Sequence, residues 1–293
     1  MGAWGSSAVG PPCSTTVELA WQARGRRRRR DTAISGAIFI AVFGCALVVS
    51  EVSPTRLAEG VPGMLGYVRG TLPVLRPQSL LADVAEWYWG LGQWLVLLGD
   101  TLLMAFMGTV LGAVAAVLLS FAASRTLVRS RSIYFLSRRG LEIARTVPEL
   151  VYALIFVYAF GLGPLPGVLA IAVHSAGALG KLFAEANENA DLGPLEGLYA
   201  SGATWATGMR YAIVPQVLPA FLSYALLRFE INVRSSAVLG FVGAGGVGQE
   251  LYTVIRQFLY VDISAIVLLL IATVVGIDLV CERLRHRVIG AAA

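Results

Sequence analysis

Arg145, Glu149, His174, Arg228, Glu230, Asn232 and Arg234 lie in stretches otherwise built from Leu, Val, Ala, Ile and Phe. Ionisable groups at membrane depth are costly, so they either neutralise one another or line a polar route. Arg145 and Glu149 are four residues apart, as are Glu230 and Arg234. Side chains at that spacing meet on one helix face, and glutamate ahead of arginine is the better order. Two readings stand: ion pairs that fix helix packing, or a polar path or gate. His174 and His286 are the only histidines. Neither sits in a metal-ligand or catalytic-triad pattern, and His174 reads equally as a hydrogen-bonded packing residue or part of a pathway.

Enzymatic chemistry is not visible elsewhere. Gly243, Gly245 and Gly248 spell G-x-G-x-x-G. A dinucleotide site needs that motif in a strand–turn–helix unit with an acidic residue about 20 positions on. Apolar runs flank the glycines, and residues 263–270 hold no carboxylate. A phosphate-binding P-loop needs G-x-x-x-x-G-K-[ST]. Lys181 is the only lysine, and Ser175 stands where the first glycine would be. The chain is therefore read as no enzyme, with no bound nucleotide, cofactor or metal. Cys13, Cys45 and Cys281 lack metal-like spacing and predict no disulfide.

The elements that position these residues follow from composition. Hydrophobic residues make up 57% of the 293 residues and charged ones only 14%, against about 45–50% and about 25% in soluble domains. Arginine supplies nearly all the positive charge behind the net +5, with clusters at 24–30, 125–139 and 283–287. These clusters flank apolar runs, whereas a nucleic-acid binder would gather them on one polar domain. Residues 1–30 predict a disordered basic tail and 31–50 a first transmembrane helix. A twin-arginine signal peptide is the rival reading, but the apolar run exceeds the usual h-region and no A-x-A-like cleavage site follows. Residues 51–92 are expected outside or at the interface, where Trp87, Tyr88, Trp89 and Trp94 suit an aromatic belt. Further spans are predicted near 100–123, 141–162, 165–183, 216–234 and 263–281, with Gly108 and Gly112 as a small-xxx-small packing face. The arginine clusters then all fall inside. The result is an all-α, multi-pass membrane protein. It has about six spans, both termini inside and a short C-terminal tail over 286–293.

One polar segment, 184–219, interrupts the apolar pattern and is placed inside. Gly202 between Ser201 and Ala203 permits a sharp bend, and Pro215 and Pro219 mark entry into the next span. By itself Glu196 is one solvated carboxylate among several. Its register changes that reading: EGLYASG, nine residues, then AIVP resembles the EAA signature of bacterial ATP-binding-cassette (ABC) importer permeases. Gly197 replaces the first Ala of that pattern, and Ala212 and Val214 replace its Ile and Leu. Residues 145–186, 214–248 and 100–112 further resemble the phosphonate-importer permeases, so that the likeness covers about 93–285. The glycine segment also resembles the methionine-importer group.

The resemblance implies a type I importer permease fold. It implies ATPase coupling through Glu196, Gly197, Ala200, Gly202, Ala203 and Pro215, and an outer gate that includes Gly240, Gly243, Gly245, Gly246 and Gly248. The implied partners are a second permease subunit, identical or not, two cytoplasmic ATPases carrying ATP and Mg, an extracytoplasmic phosphonate-binding protein, and membrane lipid, with no nucleic acid. The implied substrate is a phosphonate or a relative such as phosphite. The alternatives are a permease for methionine or another small solute, and a stand-alone secondary transporter.

Overall fold

The computed structural model describes residues 13–50, 53–74, 76–128 and 130–290. Two compact units divide between Arg69 and Gly70. The first holds α1, Cys13–Val49, and nearly all of α2, Pro54–Thr71. Within α1, Arg27–Val49 is long and apolar enough to cross a membrane, and it buries none of its apolar window within the protein. An apolar run of that length matches the hydrocarbon core of a bilayer. The described part of the expected disordered tail, 13–30, is helical. Arginine is a strong helix former, and extending a nucleated helix costs far less than starting one. Residues 1–12 of that tail lie outside the described residues.

Among the described residues of the second unit, all the regular elements are helices. It runs through α3, Leu80–Trp87, α4, Leu91–Ala122, α5, Arg131–Thr146, α6, Glu149–Phe160, and α7, Pro164–Glu188. Two short helices follow, α8, Gly193–Ala200, and α9, Trp205–Gly208. A π-helical turn, Met209–Ile213, leads into α10, Val214–Leu239. After a 3₁₀ turn, Gly240–Val242, come α11, Gly246–Arg256, and α12, Tyr260–Gly290. Helix thus covers most of the expected 286–293 tail, and 291–293 lie outside the described residues. Among the described residues five helices are long and apolar enough to span a membrane, or six if the bent pair α5–α6 counts as one.

That bent pair corrects the straight span expected over 141–162. The two helices meet at 88°. Val147 is extended, with φ −71° and ψ 126°, as a residue before proline prefers. Pro148 has no N–H to continue the ladder, and the Val147 N–H closes α5 on Ile143 O.

α4 and α7 share the most extensive helix–helix contact. Glycine makes it close: a Cβ on Gly108 would lie 2.6 Å from Ile171, and one on Gly112 2.8 Å from Ala172 O. On another side of α7 a Cβ at Gly177 would meet Arg145 N at 2.6 Å, pressing α5 against α7. The small-xxx-small spacing of α4 therefore serves packing. At the far end of α7, Glu188 accepts from Arg125 N at 2.8 Å and pairs with Arg138 at 3.0 Å. That bridge ties the arginine-rich 124–130 connection to α5 and α7.

Candidate functional site

The 184–219 segment folds as a helical hairpin on the ends of α4, α7 and α10. Leu195 of α8 and Met209 of the π turn are buried with Leu127, Phe183, Ile213 and Phe221. Trp205 donates its indole N–H to Leu127 O at 3.1 Å and meets Phe121 edge-on. The bend between α8 and α9 is a Schellman motif. Ala203 N–H bonds to Leu198 O and Gly202 N–H to Tyr199 O, both at 3.0 Å, with Gly202 at φ +86°. Only glycine takes that φ without strain, and the motif satisfies carbonyls that the helix end leaves free. Thr204 then caps α9, accepting from Thr207 N–H. These local bonds are the physical content of a glycine six residues after Glu196.

Glu196, Gly197, Ala200 and Gly202 are exposed on one side of this hairpin, and Ala203 is half-buried. Pro215 is exposed at the start of α10. It does not end a helix, because the π turn before it absorbs the missing N–H. Sequence reasoning missed Gln216. Its side chain accepts from Asp191 N–H and donates to Asp191 O, each at 3.0 Å, and donates to Ala212 O at 2.8 Å. One amide thus ties together the two ends of the hairpin.

The polar residues of the apolar stretches divide into two groups, and neither i,i+4 pair forms. Arg145 is exposed at the end of α5, cut off from Glu149 by the break at Pro148. Glu230 pairs instead with Arg285 of α12 at 2.9 Å, and Arg234 pairs with Asp278 at 3.1 Å. Two inter-helix ion pairs therefore fasten α10 to α12. Arg285 and Asp278 escaped notice because both lie some fifty positions away in sequence.

The second group converges. Glu149 at the start of α6 lies 3.8 Å from the His174 Nδ1 of α7, with Arg228 and Ser235 of α10 beside it. Arg228 donates through Nε to Ser175 Oγ at 3.1 Å. Asn232, fully buried, donates to Thr109 Oγ1 at 2.7 Å and to Ser175 Oγ at 2.9 Å. Thr109 and Ser175 carried no signal in the sequence, since hydroxyl residues are common in packed helices. Glu149 Oε1, His174 Nδ1, Arg228 Nη2 and Asn232 Oδ1 are buried without a hydrogen-bond partner. Each such atom ordinarily costs about 1–3 kcal/mol, so four in one cluster of one guanidinium, one carboxylate, one imidazole and one amide is a large local cost.

The glycine segment is a close-packed joint between α10 and α11. Gly240 and Gly248 stand backbone to backbone: a Cβ on Gly240 would lie 2.6 Å from Gly248 Cα. Gly243, Gly245 and Gly246 have positive φ, and Gly246 admits Thr101 Oγ1, which accepts from Val247 N–H at 2.9 Å.

Comparison with known proteins agrees with this architecture. Residues 108–289 match the family described as binding-protein-dependent transport system inner membrane component. The phosphate-import permease protein PhnE of Mycolicibacterium smegmatis is 40% identical over 233 residues, 80% of this chain and 42% of that protein. The chain thus spans less than half the length of that relative. The phosphite transport system permease protein PtxC of Stutzerimonas stutzeri is 37% identical over 241 residues, 81% of this chain and 83% of that protein. A chain of the inward-facing MetNI methionine ABC transporter superposes with a TM-score of 0.57 at 22% identity, covering 67% of this chain and 95% of that one. That likeness is one of fold.

Proposed function

The chain belongs to the binding-protein-dependent transport system inner membrane components, the permease subunits of ABC importers, and on that premise we propose that it forms the membrane pathway for a small phosphorus oxyanion: a phosphonate, phosphite or phosphate. Members of this family are bacterial inner-membrane subunits without a nucleotide-binding domain of their own. The substrate reading is carried by one observation: relatives named for phosphate and phosphite import are 37–40% identical over four-fifths of this chain. The likeness to the methionine transporter is far lower in identity.

In this reading two permease subunits enclose the path, two cytoplasmic ATPases bind beneath, and an extracytoplasmic protein delivers the anion. The exposed face of α8 and its bend, from Glu196 to Ala203, meets the ATPase. Its buried face is anchored by Leu195 and Met209, so a push on it moves α7 and α10 as a body. The glycine joint between α10 and α11 serves as the outer gate. Uptake of phosphite, methylphosphonate and phosphate, measured with and without the partner ATPase, tests the function. ATPase-dependent uptake of at least one of these is expected. Uptake that persists without the ATPase, or uptake of none of them, overturns the reading.

Gly202→Ala tests the contact. Its Cβ would find open space, so the only penalty is the left-handed backbone, about 1–2 kcal/mol. Accumulation in the membrane is expected to stay normal while uptake drops about tenfold, a change that a shifted bend of that energy can produce. Unchanged uptake would remove the bend from the coupling path.

A further inference from the structure

We propose that the buried cluster of Glu149, His174, Ser175, Arg228 and Asn232 is a transit site for a protonated tetrahedral oxyanion, with the Glu149 carboxylate holding the anion's place until the substrate displaces it. The inference rests on reading the chain as an oxyanion permease and assigns that activity to named atoms. Three observations lead to it. Arg228 is held by only one of its nitrogens, Nε on Ser175 Oγ, while Nη2 is buried and unpartnered. A guanidinium fixed at one edge with a free nitrogen is a preformed donor for an oxyanion.

The resident carboxylate is held at one point, by the Ser235 side chain, and is otherwise open. Glu149 comes no nearer to His174 than 3.8 Å, beyond hydrogen-bond reach, and its Oε1 has no partner. A structural ion pair at this burial would be expected to close those bonds, as Glu230 and Arg285 do at 2.9 Å. The Glu149 side chain is only 10% exposed, so water does not take their place.

The third observation sets specificity. Asn232 spends its amide hydrogens on Thr109 and Ser175, so its orientation is fixed and Oδ1 is left as a buried acceptor without a donor. An oxyanion carrying a hydroxyl supplies that donor. Phosphate carries a P–OH throughout the neutral range, and phosphite and phosphonates carry one in their monoanions, whereas sulfate has none. The cluster therefore offers a guanidinium and an imidazole to the charged oxygens and an acceptor to the protonated one. Specificity arises because sulfate would leave Asn232 Oδ1 unpaired.

The test is equilibrium dialysis of radiolabelled inorganic phosphate against the intact importer in lipid nanodiscs, without the binding protein. Wild type is expected to bind phosphate, with phosphite competing and sulfate competing at least about 100-fold less well, as a site with an unmatched polar group discriminates. Arg228→Gln is expected to weaken binding about 100-fold, the loss typical of one partner in a buried charge contact. Glu149→Gln is expected to tighten it about tenfold, since the competing anion is gone. Equal competition by sulfate, or unaltered or weaker binding in Glu149→Gln, overturns the proposal. The double variant Glu149→Gln with Arg228→Gln guards against a folding artefact. It removes both charges together, so a cluster that serves only packing would transport normally in that background, which also overturns the proposal. Dialysis and uptake separate the two claims. Phosphate binding with this variant order but no uptake condemns the function reading alone, and uptake without the order condemns the site alone.

Discussion

Gly248→Ala is expected to deplete the folded permease from the membrane, even though it adds a single methyl group. A Cβ at position 248 would stand 1.8 Å from Ala237 O and 3.1 Å from Gly240 Cα. Both obstacles are backbone, so no side-chain rotation relieves the overlap. The only relief is for α11 to lift from α10. It is held there by Val247, whose N–H bonds to Thr101 Oγ1 and whose side chain is buried with Trp94, Leu98 and Ile266. Overpacking of this kind costs about 3 kcal/mol or more, which lowers the folded fraction ratio more than about 100-fold. Gly243→Ala is a useful contrast. There the clash is with the tip of Leu162, which can turn, and the remaining penalty is the φ of +89°, about 1–2 kcal/mol. Thermal unfolding and monodispersity of detergent-solubilised protein should rank the two, with Gly248→Ala the worse. Equal melting for Gly248→Ala and wild type would mean that the joint opens freely.

The long apolar runs of α4, α7, α10 and α12 were legible because each is a membrane-length pattern whose physics is local. The break in α5–α6 was legible in principle, since Pro148 stands in plain view. Hydropathy alone does not register a bend. The helical extension of α1 into 13–30 was hidden by the opposite bias: charge was read as disorder, although arginine favours helix once one has started. Around 184–219 the register of Glu196, Gly202 and Pro215 located the hairpin, and the Schellman geometry explains the glycine. Gln216, Leu195 and Trp205, which hold that hairpin in place, carry no such register. Their partners Asp191, Met209 and Leu127 come together only through the fold.

Charge pairing was the least legible feature, for a reason that holds generally. Spacing along one helix names neighbours that are available, whereas partners on packed helices are invisible until the helices are placed. Arg145 and Glu149 were assigned to one face of a helix that does not exist as a single element. Glu230 and Arg234 do share a helix, yet both turn to α12. The cluster around Asn232 was half legible. Its ionisable members stood out in apolar sequence, but the hydroxyls that orient them did not.

Glu230→Ala is expected to be strongly destabilising, and Asp278→Asn nearly neutral, although both break an ion pair between α10 and α12. Burial separates them. The Glu230 side chain is 8% exposed and that of Arg285 30%, against 53% and 40% for Arg234 and Asp278. Removing one partner of a buried pair strands the other charge and costs about 3–5 kcal/mol. The partial exposure of Arg285 places the expected loss near the lower end, about 3 kcal/mol. An exposed pair contributes at most about 1 kcal/mol. The two possible partners of Glu230 are then told apart by charge reversal. Glu230→Arg combined with Arg285→Glu should regain part of the lost stability, because it restores an attraction across the same 2.9 Å contact. Glu230→Arg combined with Arg234→Glu restores the charge pattern along α10 but leaves two guanidinium groups facing each other at Arg285, and it should stay as unstable as the single reversal. Melting temperatures of the single reversal and the two double reversals decide the matter. Rescue by the Arg234 reversal and not by the Arg285 reversal would restore the intrahelical pair and separate α12 from Glu230.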